Sequence, residues 1–465
     1  MSVSRRTVLK GAAAVGAGAL ATQCTRDEPE PPSPPVQDDA GHLVWRNWSG
    51  LQYSYPAERA APTSEDQIVD LLAHGPVPIR PVGAGHSFTR LVPTNGTLVT
   101  LDGMTGVVAH DAASLQATLR AGTRLGDLGP ALAAIGQEMP NLPDINKQSL
   151  AGALATATHG TGRAFKALHG SVVSLRVATP AAGVVECDAD KNSALFHAAR
   201  VGLGAFGILT QVVLQNAKLT RVKKRVEARP LDEVMQTWPS LVGRHRNVEF
   251  FALPFTGMAA VITVDETTDP VRPRGPDTDA DTLMHLKRLR DWTAGFPAFR
   301  RWFAQKVLAA GFEPEEAVDE GWKLLSNERP VRFNEMEYHL PFDAQMSALL
   351  EVVAAIEQHR PDVFFPIECR VIDADDAWLS PFYRRPSGSI AVHAYYKDDH
   401  EFFFELIEPI FRRYDGRPHW GKMHSLKAAD LSSLYPKFAE ARDVRATVDP
   451  EGRLLNEHLR EIFGA

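Results

Sequence analysis

Residues 149–162 read SLAGALATATHGTG, a run in which small residues dominate. Side chains this short scarcely separate the backbone from whatever it faces, so N–H groups and hydroxyls are available to a ligand. Such groups suit a pyrophosphate and the polar edge of a ring. Taken alone, the run would also suit a close crossing of a helix over a strand.

Two further small-residue segments have the same character. Gly83–Ser87 reads GAGHS and follows a predicted strand over 77–82, and its glycines allow the backbone to approach an anion closely. The third segment is Gly202–Leu209. Neither a dinucleotide fingerprint opening a helix nor a phosphate loop ending in Gly-Lys is present. By itself, the loop at 83–87 is also typical of a turn with an exposed histidine.

Strand-like and helix-like segments alternate around these loops, which predicts an α+β or α/β fold. Ser64–Gln67 forms a capping box, and Gly75 is placed to end the helix that follows. Further helices are predicted over 125–135 and 281–312. The predicted strands are 77–82, 98–101, 114–120, 172–178, 207–215, 261–264, 364–372 and 389–396.

The composition is that of an average globular protein. The chain has 465 residues, 44% of them hydrophobic and 23% charged, which excludes a disordered chain. Its formal net charge of -7 gives no basic field for nucleic acid, so no nucleic-acid partner is expected. Three cysteines cannot build a disulfide framework.

The N-terminus predicts export. Residues 1–24 read as a twin-arginine signal peptide, because Arg5-Arg6 precedes the short apolar stretch Gly11–Ala21. This implies the twin-arginine export machinery as a partner and a periplasmic or extracellular location. Ala19–Ala21 fits processing after Ala21, whereas lipidation at Cys24 would leave a lipid anchor, although Gln23 matches a lipobox poorly. A frayed basic N-terminus is the alternative.

Residues 25–42 form an acidic, proline-rich linker. Such a segment buries little apolar surface and predicts an extended tether. The fold is therefore expected to start near Leu43.

The three small-residue segments, together with Trp45–Trp48, His419–Lys422 and Asp449–Asn456, resemble the FAD-linked oxidases of the vanillyl-alcohol-oxidase superfamily. The closest resemblance is to aldonolactone (D-arabinono-1,4-lactone) oxidases and alditol oxidases. It implies an α+β fold with a two-part FAD-binding domain of the PCMH type and an α+β substrate (cap) domain with an antiparallel sheet. The implied boundaries are 43–220 for the FAD-binding domain, 221–410 for the cap, and 411–465 for a C-terminal segment that returns to the flavin.

The resemblance implies FAD as cofactor, bonded covalently through its 8α-methyl group to His86. A neutral imidazole is a nucleophile and the 8α position of oxidised flavin is electrophilic, so the bond is chemically reasonable. The implied cofactor-binding residues are Val82, Gly83, Ala84, Gly85, His86, Ser87, Ser149, Gly152, Thr156, Thr158, His159, Gly160 and Ile208.

Glu368 and Arg370 lie two residues apart in a predicted strand, so their side chains share one face. A carboxylate and a guanidinium side by side can grip a polyol, although a structural salt bridge fits the spacing equally well. In alditol oxidases a matching Glu-x-Arg strand faces the flavin, and the resemblance therefore implies a catalytic role for this pair.

Three more catalytic residues follow from the resemblance. Lys422 would point at the reacting carbon and take or stabilise the hydroxyl proton, while Ser149 would face the substrate or the flavin edge. His393 lines the same cavity in this interpretation; a buried core histidine is the alternative. No metal is expected, since His419 and His424 lack a carboxylate or cysteine at ligand spacing.

The implied function is an exported FAD-dependent oxidoreductase that oxidises a hydroxyl of a sugar-derived polyol or aldonolactone. Hydride would pass to flavin N5, and O2 would be reduced to H2O2 unless another acceptor takes the electrons, with Gln148 a candidate gate for oxygen. Two alternatives stay open: a related flavoenzyme acting on a non-sugar alcohol or amine, and a non-catalytic exported sugar-binding protein.

Overall fold

A computed structural model describes residues 30–276, 279–293, 296, 298–300, 302, 314–327 and 331–465. The predicted signal peptide, Cys24 included, and the first residues of the linker lie outside this part of the chain. Within it, no helix has both the length and the apolar content needed to cross a bilayer.

The first domain is built on two main sheets. A parallel three-stranded sheet has the order β3-β5-β4, and an antiparallel five-stranded sheet has the order β10-β9-β11-β7-β6. The strands are β1 (Trp45–Arg46), β2 (Tyr53–Ser54), β3 (Glu58–Ala60), β4 (Ile79–Val82), β5 (Thr97–Thr100), β6 (Val107–Asp111), β7 (Gln116–Arg120), β8 (Gln137–Glu138), β9 (Val172–Thr179), β10 (Gly183–Asp188), β11 (Ile208–Gln215) and β12 (Ala217–Lys218).

The helices of this domain begin where the local sequence predicts. In the first, the Ser64 hydroxyl accepts from the Gln67 N–H, and the helix ends as the Gly75 N–H donates to the Leu71 carbonyl. Its residues Ile68 and Leu72 are buried in the core, as an amphipathic helix on a sheet requires. The helices are α1 (Glu65–His74), α2 (Leu125–Ala133), α3 (Leu150–Ala155) and α4 (Ser193–Ala199).

The cap domain is one eight-stranded antiparallel sheet, which confirms the predicted cap architecture. Its strand order is β16-β13-β15-β14-β18-β19-β17-β20. The strands are β13 (Arg221–Pro230), β14 (Asn247–Leu253), β15 (Met258–Glu266), β16 (Glu315–Glu320), β17 (Phe333–Pro341), β18 (Ile367–Ile372), β19 (Ser387–Tyr395) and β20 (Arg417–Pro418).

Two helices, one that contains Trp238 and one that begins at Gln345, cover the outer face of the cap sheet. The Trp238 ring meets Phe250 edge-on at 4.9 Å, and its indole N–H donates to Gln345 at 2.8 Å. The opposite, inner face of the sheet is therefore left to face the first domain. The cap helices are α5 (Leu231–Arg244), α6 (Asp279–Trp292), α7 (Gly321–Leu324) and α8 (Gln345–His359).

The C-terminal segment joins the two domains. It contributes β20 to the cap sheet beside β17 and then returns to the first domain, where the buried Arg80 guanidinium donates to the Leu454 carbonyl at 2.6 Å. A large buried hydrophobic cluster contains residues of both domains and of this segment. The last helices of the chain, which lie within this segment or directly before it, are α9 (Glu408–Arg413), α10 (Ala428–Leu434), α11 (Phe438–Val448) and α12 (Glu457–Phe463).

The described part of the linker makes contacts with the folded domains, unlike the extended tether that the sequence predicts. Glu30 pairs with Lys397 at 2.9 Å and with Arg332 at 3.3 Å, and it accepts from the Tyr396 hydroxyl. The Pro35 carbonyl accepts from Tyr55 at 2.8 Å. Contacts with the two domains thus begin before Leu43.

Candidate active site

A cavity of about 950 Å³ lies between the first domain and the inner face of the cap sheet. The small-residue loops form one side of it, and strands β13 to β19 form the other. The His419–Lys422 motif closes one end. The predicted catalytic residues Ser149, Glu368, Arg370, His393 and Lys422 all line this cavity.

The loop 83–87 needs its glycines for close approach. A Cβ at Gly83 would lie 2.1 Å from the Ser149 hydroxyl oxygen, so glycine allows this loop to pass the start of α3 without displacing the Ser149 side chain. Gly85 has a φ of +67°, a conformation that side-chain-bearing residues rarely adopt. The result is a backbone-lined cradle that fits FAD.

The run 149–162 supplies the other side of the cradle. Ser149 caps α3 by accepting from the Gly152 N–H at 3.4 Å, and the Thr156 hydroxyl donates to the Gly152 carbonyl. All of the predicted cofactor residues line the cavity except Gly160. A Cβ at Gly160 would lie 2.3 Å from the Leu142 carbonyl oxygen, so this glycine serves packing outside the cavity.

His86 stands at the cavity wall as a neutral imidazole. Its ring stacks on Trp48, with centroids 5.2 Å apart. Burial, followed by the positive charges of Lys422 and Arg124, lowers the pKa of His86 to about 4. The ring is therefore unprotonated near neutral pH, the form that a nucleophile requires.

Glu368 and Arg370 share a face, which confirms the prediction from their spacing. The Arg370 guanidinium donates to Glu368 through Nη2 and to Glu249 through Nε, the latter at 2.8 Å. Burial raises the pKa of Glu368 well above its usual value; Arg370 opposes this rise, and the carboxylates of Glu249 and Asp144 add to it. One guanidinium thus holds two carboxyl groups at the cavity wall.

Lys422 is paired with a carboxylate that the sequence analysis did not single out. Its ammonium donates to Glu335, which is buried, and it lies 5.1 Å from the centre of the Phe88 ring. The other oxygen of Glu335 is 3.6 Å from Nε2 of His393, while Nδ1–H of His393 donates to the Pro366 carbonyl. Glu335 therefore joins the two predicted catalytic side chains.

A second carboxylate on β17, Glu337, organises the histidines. The two ring nitrogens of His159 face the Gly160 carbonyl and Glu337, each at 2.8 Å. Burial alone would raise the pKa of Glu337, but the imidazoles of His159, His419 and His339 outweigh it and lower that pKa well below its usual value. Ser389 also donates to this carboxylate.

Aromatic rings connect the cofactor loop to the catalytic side chains. Phe333 contacts Trp48, Phe88 and His393, with ring centroids 5.0 to 5.8 Å apart. This wall is apolar on the side of His86 and helps to keep water from Lys422.

Two groups of possible metal ligands lie in the cavity, although the sequence analysis expected no metal. Their ligand atoms lie within 4.8 Å of one another. Each carboxylate in these groups already has a hydrogen-bond partner in the protein. Glu337 contacts His159 and Ser389. Glu335 accepts from Lys422, and Glu368 accepts from Arg370. The groups are His159, Glu337 and His419, and Glu335, Glu368 and His393.

Strand β17 was missed in the sequence analysis, and Glu335, Glu337 and His339 with it. Its signal is a strict alternation, since these polar residues alternate with the apolar Met336 and Tyr338. All of these side chains are buried, because the polar face looks into the cavity and the apolar face into the core.

Gln148, the candidate oxygen gate, lines the cavity. Its Nε2 donates to the Thr158 hydroxyl at 3.4 Å. Within the described structure, its side-chain oxygen is buried without a hydrogen-bond partner.

Comparisons with known proteins agree with this geometry. A sequence model of the family described as D-arabinono-1,4-lactone oxidase matches residues 212–462, and one described as an FAD binding domain matches residues 56–188. The L-gulono-1,4-lactone dehydrogenase of Mycobacterium tuberculosis (strain ATCC 25618 / H37Rv) is 32% identical over 432 residues, 90% of this chain and 99% of the relative. The L-gulonolactone oxidase of Mus musculus is 28% identical over 432 residues, 90% of this chain and 98% of the relative.

The fold also has solved counterparts. A cholesterol oxidase from B. sterolicum superposes with a TM-score of 0.72 at 15% identity, covering 94% of this chain and 100% of that one, which shows the fold alone. The motif-based resemblance is confirmed by the family match and by the extent of the alignments. This chain belongs to the D-arabinono-1,4-lactone oxidase family of FAD-dependent oxidoreductases that act on CH–OH groups.

Proposed function

We propose that the protein oxidises a CH–OH group of an aldonolactone or a related sugar-derived polyol. The observation that carries the proposal is the shared wall of Glu368, Arg370, Lys422 and His393 opposite the glycine-lined cradle. Several charged donors and acceptors in one cavity match a substrate with several hydroxyls. A non-sugar alcohol or amine with an apolar body would not need them.

Some of these side chains bind the substrate, and others act in proton transfer. Arg370 and Glu368 grip neighbouring hydroxyls, and Arg370 is held in place by Glu249. Lys422 takes or stabilises the proton of the reacting hydroxyl, with Glu335 fixing the ammonium. Bound FAD supplies the hydride acceptor at N5. Ser149, beside the cradle, faces the substrate or the cofactor edge.

The electron acceptor is O2, giving H2O2, or another oxidant. The names of the two relatives include both an oxidase and a dehydrogenase, which supports keeping both acceptors within the proposal. The position of Gln148 in the cavity wall supports its role as a gate for oxygen.

FAD would be bonded covalently to His86. Support comes from the neutral imidazole and from its position in the glycine loop. Acid precipitation of the purified protein tests this: yellow colour should stay with the polypeptide of the wild type and leave with the supernatant in His86→Ala. Free flavin from the wild type would contradict the covalent bond.

Export by the twin-arginine route to the periplasm or the cell exterior is the proposed location, based on Arg5-Arg6 and the apolar stretch that follows. A processed protein outside the cytoplasm should disappear when both arginines are replaced by lysine. Labelling with a fatty acid, compared between wild type and Cys24→Ser, decides whether the exported protein carries a lipid anchor.

The reaction is tested by substrate-dependent oxygen uptake and dye reduction. The panel contains aldonolactones, polyols, aromatic alcohols and amines. We expect turnover with a lactone or polyol, and Lys422→Met should abolish most of it while the flavin stays bound. Turnover restricted to aromatic alcohols or amines would favour the related flavoenzyme, and sugar binding without turnover would favour a binding protein.

A further inference from the structure

The inner face of the cap sheet is divided into a polar half and an apolar half. On β18, β19 and β17 it carries the polar residues of the active site. Phe251 on β14 lies opposite Glu368 across the strand pair, and four apolar side chains continue the same face on β15 and β13, where Lys224 comes next along β13. These are Ala260 and Ile262, followed by Ala228 and Val226.

Helix α6 also contributes to the wall of this cavity. Leu283 and Leu286 line the same cavity as the sheet residues. We call the space between them the apolar chamber, and define it by Val226, Ala228, Ala260, Ile262, Leu283 and Leu286. It is continuous with the substrate site, because all of these residues line one cavity with Glu368 and Arg370.

Charged groups at the outer edge of the apolar chamber are held by other protein groups. Lys224 donates to the Leu324 carbonyl at 3.1 Å, and Glu316 accepts from Arg225 and Arg272. Glu315 lies opposite Val226 across the pair β16–β13 and also lines the cavity, so charged groups border the apolar chamber on this side.

A small lactone or polyol makes no use of apolar walls, since its hydroxyls are matched by the polar half. The chamber therefore fits a second ligand with an apolar body, bound next to the reacting groups. The reaction itself requires a second ligand, because the electrons taken from each substrate must leave. An acceptor with an apolar body meets both conditions.

Helix α6, which contributes Leu283 and Leu286 to the cavity wall, leads to an exposed aromatic patch. Trp292, Phe296 and Trp302 are 53%, 71% and 55% exposed, and Phe299 lies between Trp292 and Trp302 with ring centroids 5.7 and 5.9 Å away. Exposed aromatic groups of this kind are typical of a protein surface that meets a lipid interface. A ligand dissolved in lipid would thus meet the protein next to the chamber.

We propose that the apolar chamber binds a lipid-soluble quinone, which accepts the electrons of the reaction. This inference rests on the proposed function. The substrate CH–OH loses two electrons and two protons as it becomes C=O. The quinone gains two electrons and two protons as its two carbonyl oxygens become the hydroxyls of a quinol. Arg370, on β18 next to β14, hydrogen-bonds the quinone carbonyl that faces it.

The test compares two acceptors on the anaerobic holoenzyme with its lactone or polyol substrate. A decyl-substituted benzoquinone probes the chamber, and ferricyanide, a small hydrophilic one-electron oxidant, serves as reference. Calorimetric titration of the oxidised protein with the same quinone measures binding without turnover. We expect quinone reduction and saturable quinone binding by the wild type.

Two variants place a carboxylate in the chamber, one on the sheet and one on helix α6. Ile262→Asp and Leu286→Asp should each lower the ratio of quinone-supported to ferricyanide-supported turnover about tenfold, and weaken quinone binding about tenfold, because a charge replaces apolar contact. Leu286 lies on the helix, so this variant does not depend on the sheet tolerating the change. Leu350→Asp, at a position 56% exposed on α8, is the matched control and should keep the wild-type ratio.

The inference is overturned if the wild type reduces ferricyanide but neither binds nor reduces the quinone. It is equally overturned if both chamber variants keep the wild-type ratio and affinity. Absence of substrate-dependent ferricyanide reduction would instead contradict the proposed function, and quinone binding would then decide the inference by itself.

Discussion

The ammonium of Lys422 donates to the buried carboxylate of Glu335, and this contact joins the C-terminal His419–Lys422 motif to β17, the second-last strand in the order of the cap sheet. The two residues are 87 positions apart in the chain. Glu335 also lies near His393, so one carboxylate positions both a lysine and a histidine that the family resemblance made catalytic. Without it, Lys422 would lack a fixed direction in the cavity.

Replacing Glu335 by Gln should therefore lower kcat about hundredfold and change KM little, because it removes a charge that orients the proton-transferring group. Glu335→Asp keeps the charge and should recover part of the rate. The pH profile of kcat should shift in Glu335→Gln, which loss of packing alone would not cause. Steady-state kinetics over a range of pH gives all three quantities.

The control for this prediction is Glu233→Gln, which breaks an exposed ion pair with Arg229 on the outside of the cap. Exposed pairs of this type contribute little, so its kinetics should match those of the wild type. A Glu335→Gln enzyme with an unchanged pH profile and rate would remove Glu335 from the mechanism.

Arg370 should not tolerate lysine. Its guanidinium uses separate nitrogens for Glu368 and Glu249, and an ammonium cannot reproduce this fork. We expect Arg370→Lys to lower kcat/KM about hundredfold, equivalent to about 3 kcal/mol, while flavin absorbance per polypeptide stays constant. Arg229→Lys is the surface control. Near-normal kcat/KM in Arg370→Lys would show that the pair is only a salt bridge within the sheet.

The cofactor cradle should be sensitive to a single methyl group. Gly83→Ala places a Cβ 2.1 Å from the Ser149 hydroxyl oxygen and 3.1 Å from its Cβ, so the hydroxyl must leave its position as the cap of α3 and the serine must shift. We expect at least about tenfold less flavin per polypeptide, measured from the visible spectrum of the purified protein. Gly243→Ala, in α5 with no atom within 4 Å of the new methyl group, should keep full flavin content. Equal flavin in both variants would contradict the close approach.

Local signals explain which parts of the fold the sequence predicts. The cap of α1 and the alternation in β18 depend only on neighbouring residues, and both are found as expected. The shared face of Glu368 and Arg370 follows from the same period of two. The predicted helix over 281–312 begins as α6 but is assigned only to Trp292, and much of the remainder lies outside the described residues.

Strand β17 is an element that the sequence did not predict. Its alternation is as regular as that of β18, yet Glu335 and Glu337 look like an exposed face, because burying a carboxylate is unfavourable without a partner. Their partners, Lys422 and His159, lie far away in the sequence and meet β17 only when the domains pack together. Long-range pairing of this kind has no local signal.

Buried histidines should make the protein sensitive to acid. Burial lowers the pKa of His339 well below its ordinary value; Glu337 opposes this, while the charges of His159, His419 and Arg385 add to it. Between the ordinary value near 6.5 and the lower folded value, only the unfolded chain takes up the proton, so stability falls as the pH falls through this range. The contribution of His339 to the free energy of unfolding should therefore be lower at about pH 5 than at about pH 7.5. His339→Phe should remove this part of the loss of stability, which urea unfolding at both pH values measures. The control is His110→Phe at an exposed position, which should keep the pH dependence of the wild type. If the stability of His339→Phe depended on pH as much as that of the wild type, this ring would be protonated in the folded protein.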